Sequence, residues 1–71
     1  MKVATNWNTV RILEILAKKE RKFEEIEKLA RIPEKVLSGL IEQMVSEELI
    51  ENDREFYRIT EKGTKFLERL K

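Results

Sequence analysis

Residues 57–63, which read Tyr-Arg-Ile-Thr-Glu-Lys-Gly, restrict the possible folds more than any other part of the chain. Tyr57 and Ile59 alternate with Arg58, which is the period of a half-buried strand. Thr60 comes next, and its hydroxyl can accept a hydrogen bond from the free amides at the start of a helix. An amphipathic stretch follows at once. The sequence therefore predicts a strand that passes into a helix without an intervening loop.

The first half of the chain opens with a predicted helix over about residues 8–19. Asn6 or Asn8 supplies its N-cap, and an apolar stripe wider than one face indicates that this helix is buried on two sides. Residues 1–5 are expected to be frayed or to form an edge strand. Residues 20–22, which are all charged, are expected to form a polar break after the helix.

Two further helices are predicted on either side of a short turn. The second helix carries apolar residues three and four positions apart from Phe23 to Ala30, although no good N-cap residue precedes it. Pro33 is favourable in the first turn of a helix, so the third helix is expected to run from residue 33 or 34 to residue 47 or 48. Helix, tight turn and helix therefore follow one another.

A hairpin and a last helix are predicted to complete the chain. The first strand starts at Leu49, and the turn is expected at Asn52 and Asp53, which both tolerate a positive φ. The second strand covers residues 55–59, and the last helix covers residues 61–70. The 71 residues are thus predicted to form a single domain that is α+β, mainly α, with a three-helix core, a β-hairpin and a C-terminal helix.

The residue types that are missing exclude several classes of function. The chain has no cysteine and no histidine, which excludes disulfides, thiolate metal sites and the usual catalytic triads. Carboxylates remain, but a chain of 71 residues rarely builds the pocket that catalysis requires. We therefore expect a protein that is not an enzyme and that holds no cofactor and no metal.

Hydropathy and composition bear on where the protein works. No apolar stretch approaches the roughly twenty residues that span a bilayer, and the N-terminus lacks the apolar run of a secretory signal. We therefore expect no membrane contact and a cytoplasmic location. Charged residues make up 41% of the chain, and this composition fits a heat-adapted protein as well as any highly helical domain.

Positive charge is concentrated in the first half of the chain, although the net charge is only +1. Residues 1–32 hold eight Lys or Arg and five Asp or Glu, net +3, whereas residues 33–71 hold seven and nine, net −2. Four of the cations lie within residues 18–22. This cluster either contacts phosphate or is a solvated helix end that the helix dipole favours, and the sequence leaves both interpretations open.

Two motifs give the chain its resemblance to a known family. One runs from Leu29 to Ile50 and has the pattern of a positioning helix, a turn, a recognition helix and an acidic stretch that ends in Leu-Ile. The other is residues 57–63. In this order they resemble the winged helix-turn-helix transcription factors, in particular small archaeal and bacterial regulators of the PadR, MarR and ArsR kind. The likeness covers Val10 to Leu70 and implies a winged helix-turn-helix that binds double-stranded DNA and regulates transcription.

The resemblance also implies roles for particular residues. The third helix would lie in a major groove, and the wing, about residues 51–57, would contact the backbone or the adjacent minor groove. Lys22 would sit against a phosphate. The DNA-binding residues expected on this basis are Lys22, Glu34, Lys35, Ser38, Gly39, Gln43, Arg54 and Arg58.

Three of these side chains have an alternative role that the sequence leaves open. Gln43 either reads an adenine edge or is an ordinary exposed helix residue. Arg54 either enters a minor groove or pairs with its acidic neighbours. Arg58 either contacts phosphate or pairs across the strand, and it faces outward if Tyr57 and Ile59 face inward.

The third helix departs from the family pattern in its charge. Residues 33–48 contain one cation, Lys35, and four Glu residues, net −3, whereas such helices usually carry cations and hydroxyls on their outer face. Phosphates repel carboxylates. Val36 and Leu40, with Gly39 between them, would instead form a flat apolar patch. The alternative function is therefore a winged helix that docks a protein partner at Val36 and Leu40.

A homodimer through the first and last helices is a further expectation. Leftover apolar surface would bring two copies together, and dimerisation would double the phosphate contacts. The residues expected to supply this surface are Ile12, Ile15, Phe66, Leu67 and Leu70. Trp7 is expected to pack on the core or on the second subunit.

Overall fold

The structure, a computed structural model, describes residues 6–70. Within them the chain forms four helices and three strands. In chain order these are α1 (Trp7–Lys18), β1 (Arg21–Lys22), α2 (Phe23–Ala30), α3 (Glu34–Ser46), β2 (Ile50–Asp53), β3 (Phe56–Ile59) and α4 (Glu61–Arg69). The predicted α+β fold with a helical core, a hairpin and a last helix is confirmed. The expectation for residues 1–5 lies outside the described residues.

α1 is capped by Asn6 and buried on two sides. Asn6 Oδ1 accepts a hydrogen bond from the Asn8 amide at 2.9 Å, so Asn6 is the N-cap of the two predicted. α2, α4 and β3 all pack on α1, and Ile12 is fully buried among them. The prediction that Ile12 leaves apolar surface for a second copy is therefore wrong, because the second buried side of α1 faces this chain's own elements.

The predicted polar break after α1 contains a strand. β1 pairs antiparallel with β3, with Arg21 opposite Tyr57 and Lys22 opposite Phe56. α2 follows without a loop, and the Glu25 carboxylate accepts a hydrogen bond from the Lys22 amide at 2.9 Å. This hydrogen bond holds the pKa of Glu25 below its ordinary value. The sequence did not predict the strand, because two residues are too few to show an alternating pattern.

The hairpin turn lies two residues later than predicted. β2 and β3 pair antiparallel, and the turn consists of Arg54 and Glu55, with φ of 61° at Arg54. The prediction of a turn at Asn52 and Asp53 is wrong because Asn52 supports the turn from within β2. Its Nδ2 donates hydrogen bonds to the carbonyl oxygens of Arg54 at 3.0 Å and Phe56 at 3.1 Å. The three strands lie in the order β1-β3-β2.

The β3–α4 junction matches the prediction from residues 57–63. Tyr57 and Ile59 are half-buried and pack against the core, whereas Arg58 is exposed. Thr60 Oγ1 accepts a hydrogen bond from the Gly63 amide at 3.0 Å, which caps α4. The strand therefore passes into the helix through a single residue.

Thr60 also ties this junction to the chain ahead of β2. Its hydroxyl donates to the carbonyl oxygen of Glu48 at 2.6 Å, and its amide donates to the carbonyl oxygen of Leu49 at 3.1 Å. The core beneath is formed by all four helices and by β2. Its fully buried large side chains are Ile12, Leu13, Ile26, Leu37, Met44 and Ile50.

Candidate nucleic-acid interface

α3 presents one broad exposed face. Leu37, Ile41 and Met44 attach it to the core, and they recur at the spacing of a single buried stripe. The exposed residues of the helix are Glu34, Lys35, Val36, Ser38, Gly39, Glu42, Gln43, Val45 and Ser46. The structure therefore leaves the five predicted site residues of α3 all accessible from solvent.

A three-residue turn sets the start of α3 against α2. Arg31 ends α2 with φ of 58°, and its amide donates to the Glu27 carbonyl oxygen at 2.9 Å. Ile32 is buried, and Pro33 immediately precedes α3. Arg31 is exposed. It was not among the predicted site residues, and the available signal was a cation within the turn between two helices.

The tip of the hairpin and the start of α2 form a cleft of about 240 Å³ that both Lys22 and Arg54 line. The pairing of β1 with β3 places Lys22 opposite Phe56, next to the turn that holds Arg54. Lys22 Nζ lies 5.8 Å from the centre of the Phe56 ring and 3.9 Å from the Glu55 carboxylate. Such an exposed ion pair is weak. Two predicted site residues that are distant in sequence thus share one cleft, which Glu24 and Glu55 also line.

Arg58 lies on the outer face of the sheet among three carboxylates. Its Nε donates to Glu51 Oε2 at 2.8 Å, Nη2 lies 3.5 Å from Asp53 Oδ2, and Nη1 lies 4.0 Å from Glu20 Oε1. The hydrogen bond to Glu51, followed by the nearby negative charges, raises the pKa of Arg58. The structure therefore has the cross-strand pairing that was one of the two alternatives for this residue.

The residues that adopt a left-handed backbone are charged. Among the described residues other than glycine, Arg31, Glu48 and Arg54 have a positive φ, between 58° and 65°. A residue with a Cβ pays about 1–2 kcal/mol for this conformation, which glycine adopts freely. Both glycines of the chain instead lie in helices. At the turns on either side of α3 and at the hairpin tip, a charged residue therefore adopts a conformation that glycine would adopt without strain.

A family model described as winged helix-turn-helix matches residues 9–71. The chain belongs to the winged helix-turn-helix family. No curated protein matches the sequence. In this winged helix, α2 and α3 with the turn between them are the helix-turn-helix, and β2, β3 and their turn are the wing. The finer resemblance to the PadR, MarR and ArsR regulators stays a prediction.

The basic cluster at residues 18–22 of this winged helix is divided between two surfaces. Lys22 lines the cleft at the wing tip. Lys18 and Arg21 line a separate cleft of about 660 Å³, together with Arg11 and the exposed Leu29. Neighbouring residues of β1 point to opposite faces, which separates Arg21 from Lys22. Of the two residues of β1, Lys22 is therefore the one that lies beside the wing tip.

The apolar residues that were predicted to bind a partner differ in how exposed they are. Val36 is 49% exposed, whereas Leu40 is half-buried against the core. Trp7 is 74% exposed, so of its two predicted positions the core is wrong and the second subunit stays a prediction. It is the first residue of α1, and the buried stripe of that helix begins only at Val10.

None of the helices within residues 6–70 has the length and hydropathy of a membrane-spanning segment. Nor do three or more carboxylates come together there in a group that could hold a metal ion.

Proposed function

We propose that this winged helix regulates transcription by binding duplex DNA, with α3 in the major groove and the wing on the backbone or the adjacent minor groove. The observation that carries the proposal is the shared cleft of Lys22 and Arg54 beside the start of α2. Two cations at one end of the sheet can hold a phosphate backbone while the exposed face of α3 meets base edges. Family membership supports the same ligand.

The distribution of charge along α3 favours one orientation of this helix on the DNA. The N-terminal end carries Lys35 and follows Arg31, against the single carboxylate of Glu34. The C-terminal end and the residues after it carry Glu42, Glu47 and Glu48. Because phosphates repel carboxylates, the N-terminal end would enter the groove and the C-terminal end would point away. Ser38 and Gly39 lie between these ends, and Gln43 directly follows Glu42.

Arg58 stands apart from the proposed contacts, because its guanidinium is engaged by Glu51, Asp53 and Glu20. A phosphate would have to compete with these carboxylates. Lys35 and Arg54, by contrast, have no carboxylate within ion-pair distance among residues 6–70. We therefore assign backbone contacts to Lys35 and Arg54, and we add the exposed Arg31. Lys22 joins them, because its ion pair with Glu55, at 3.9 Å, is exposed and weak.

The test is a titration of a labelled duplex of random sequence at several salt concentrations. The slope of log K against log salt is negative, and each phosphate contact that a variant removes makes it shallower by about 0.9. Lys35→Ala with Arg54→Ala should therefore give a slope shallower by about 2 and weaker binding at low salt. Lys65→Ala is the matched control, because Lys65 lies on α4 and pairs with Glu61 at 3.7 Å. An unchanged slope in the double variant would contradict the assigned contacts.

A protein-docking module is the second candidate function, and the exposure of Val36 on an acidic helix favours it. The single substitution Val36→Asp tests this candidate function. Leu40 is left unchanged, because it packs on the core and its replacement would disturb the fold. Under this hypothesis Val36→Asp abolishes the complex with the partner while circular dichroism stays unchanged. Under the DNA hypothesis the wild-type protein binds duplex DNA at low salt.

A homodimer would supply a second set of the same cations. The exposed apolar side chains that support this proposal are Trp7 and Leu70, at 74% and 41% exposure. Ile15 and Phe66 are half-buried against the core and contribute less free surface. The prediction that Leu67 supplies such surface is wrong, because Leu67 is buried in the core. Sedimentation of wild-type protein and of Trp7→Ser tests the proposal, since loss of the indole should shift the equilibrium toward the monomer.

A further inference from the structure

Gly39 occupies the centre of the outward face of α3. Leu37, Ile41 and Met44 hold the opposite side of the helix against the core. On the exposed side, residues three and four positions apart are neighbours, so Gly39 lies between Lys35 and Val36 on one side and Glu42 and Gln43 on the other. The centre of the exposed face of the proposed recognition helix therefore has no side chain.

Within residues 6–70 no contact requires a glycine at this position. A Cβ at residue 39 would meet no other atom within 4 Å. The second glycine is the opposite case, because a Cβ at Gly63 would collide with the carbonyl oxygen of Leu49. Glycine in an exposed helix interior destabilises the helix relative to alanine. Gly39 thus weakens α3 without relieving any crowding within the described residues.

The chain also leaves glycine out of the positions where it would be favourable. Arg31, Glu48 and Arg54 adopt a positive φ that glycine would adopt without strain. A glycine that costs stability and that no intramolecular contact explains is accounted for by a partner whose surface comes close to the helix backbone.

We infer that Gly39 is the point at which α3 comes closest to the DNA, and that Val36 and Gln43 beside it read A·T base pairs. The inference rests on the proposed function and deepens it. With no side chain at residue 39, the backbone can lie against the edges of the bases. The methyl groups of Val36 then reach the methyl of thymine, and the amide of Gln43 can bond bidentately to adenine N6 and N7.

The present contacts of these two side chains leave them available. Val36 is 49% exposed. Gln43 Nε2 donates to Glu47 Oε2 at 3.4 Å, which is long for a hydrogen bond and is exposed to solvent. Gln43 therefore exchanges a weak contact for two hydrogen bonds to a base.

Gly39→Ala tests the close approach. The variant should fold with higher stability than wild type, yet bind duplex DNA at least about tenfold more weakly, because the added methyl separates the helix from the bases. Ser46→Ala is the control, since it places the same side chain at an exposed α3 position beyond the proposed contact. If Gly39→Ala binds as tightly as wild type, the inference is wrong while the proposed function stands. If wild-type protein binds no duplex even at low salt, both are wrong.

Selection from duplexes with a randomised centre tests the base preference. Wild-type protein should enrich sites that contain A·T pairs, and Gln43→Ala should lose the adenine preference at one position. Replacing the selected thymines by uracil removes their methyl groups; this should weaken binding by wild type and leave binding by Val36→Ala unchanged. Selected sites that contain only G·C pairs, or equal binding by wild type to thymine and uracil duplexes, would overturn the assignment.

Discussion

Gly63→Ala is expected to destabilise the domain by about 2–3 kcal/mol, although alanine normally stabilises a helix relative to glycine. The Cβ of alanine would overlap the carbonyl oxygen of Leu49 and would lie 2.8 Å from Cγ1 of Ile59. The Leu49 oxygen has little freedom to retreat, because it accepts a hydrogen bond from the Thr60 amide at 3.1 Å. The added Cβ would therefore collide with a backbone atom that cannot move aside as a flexible side chain could.

The magnitude combines three contributions. Overpacking of this kind costs about 1–3 kcal/mol. A shift of α4 away from Leu49 also weakens the cap in which the Gly63 amide donates to Thr60 Oγ1 at 3.0 Å, and a lost cap costs about 1 kcal/mol. The helix preference for alanine offsets less than about 1 kcal/mol. In a domain of this size the net loss corresponds to a melting temperature lower by about 10–20 °C.

Thermal and urea unfolding followed by circular dichroism measure this effect, with Gly39→Ala as the matched comparison. The same substitution at Gly39 meets open space and should stabilise the domain by about 0.5–1 kcal/mol. The two variants should thus change stability in opposite directions. A Gly63→Ala protein as stable as wild type would refute the close contact between α4 and Leu49.

Three further outcomes follow from the fold. Thr60→Val should cost about 1 kcal/mol in urea unfolding, because it removes the hydroxyl that caps α4. Leu37→Ala should cost about 2–5 kcal/mol, since Leu37 is fully buried, and a cost below 1 kcal/mol would contradict that burial. Glu25→Gln should lower the melting temperature at neutral pH. The pKa of Glu25 is depressed in the fold, so its contribution is present above the ordinary value of 4.5 and is lost as the pH falls below it; melting temperatures that differ equally at pH 7 and pH 3 would contradict this.

Local signals were strong enough to predict most of the fold. α2 covers the apolar residues that predicted it, although its start was left open, and the other helices differ from prediction by one or two residues at their ends. Thr60 was recognisable because strand period, cap residue and amphipathic helix follow one another without interruption. Periodicity and capping are properties of neighbouring residues, which the sequence displays directly.

The features that the sequence did not disclose depend on long-range contacts. β1 exists because Arg21 and Lys22 pair with β3, far along the chain. The hairpin turn lies later than predicted, because Asn52 donates hydrogen bonds across the turn instead of forming part of it. Ile12 is buried, whereas Trp7 is exposed, and only the packing of other elements on α1 decides between them. The exposure of the candidate residues on α3 was predictable, but the cleft that Lys22 and Arg54 share was not.

The single residue between β3 and α4 leaves the wing without a hinge of its own. The hairpin starts beside Leu49 and returns at Thr60, and the hydrogen bond between these two residues closes its base. The conformational entropy of the base is therefore lost when the domain folds, not when a ligand arrives. The wing is preorganised as an extension of the core, and a longer or shorter hairpin would move its tip without loosening the base.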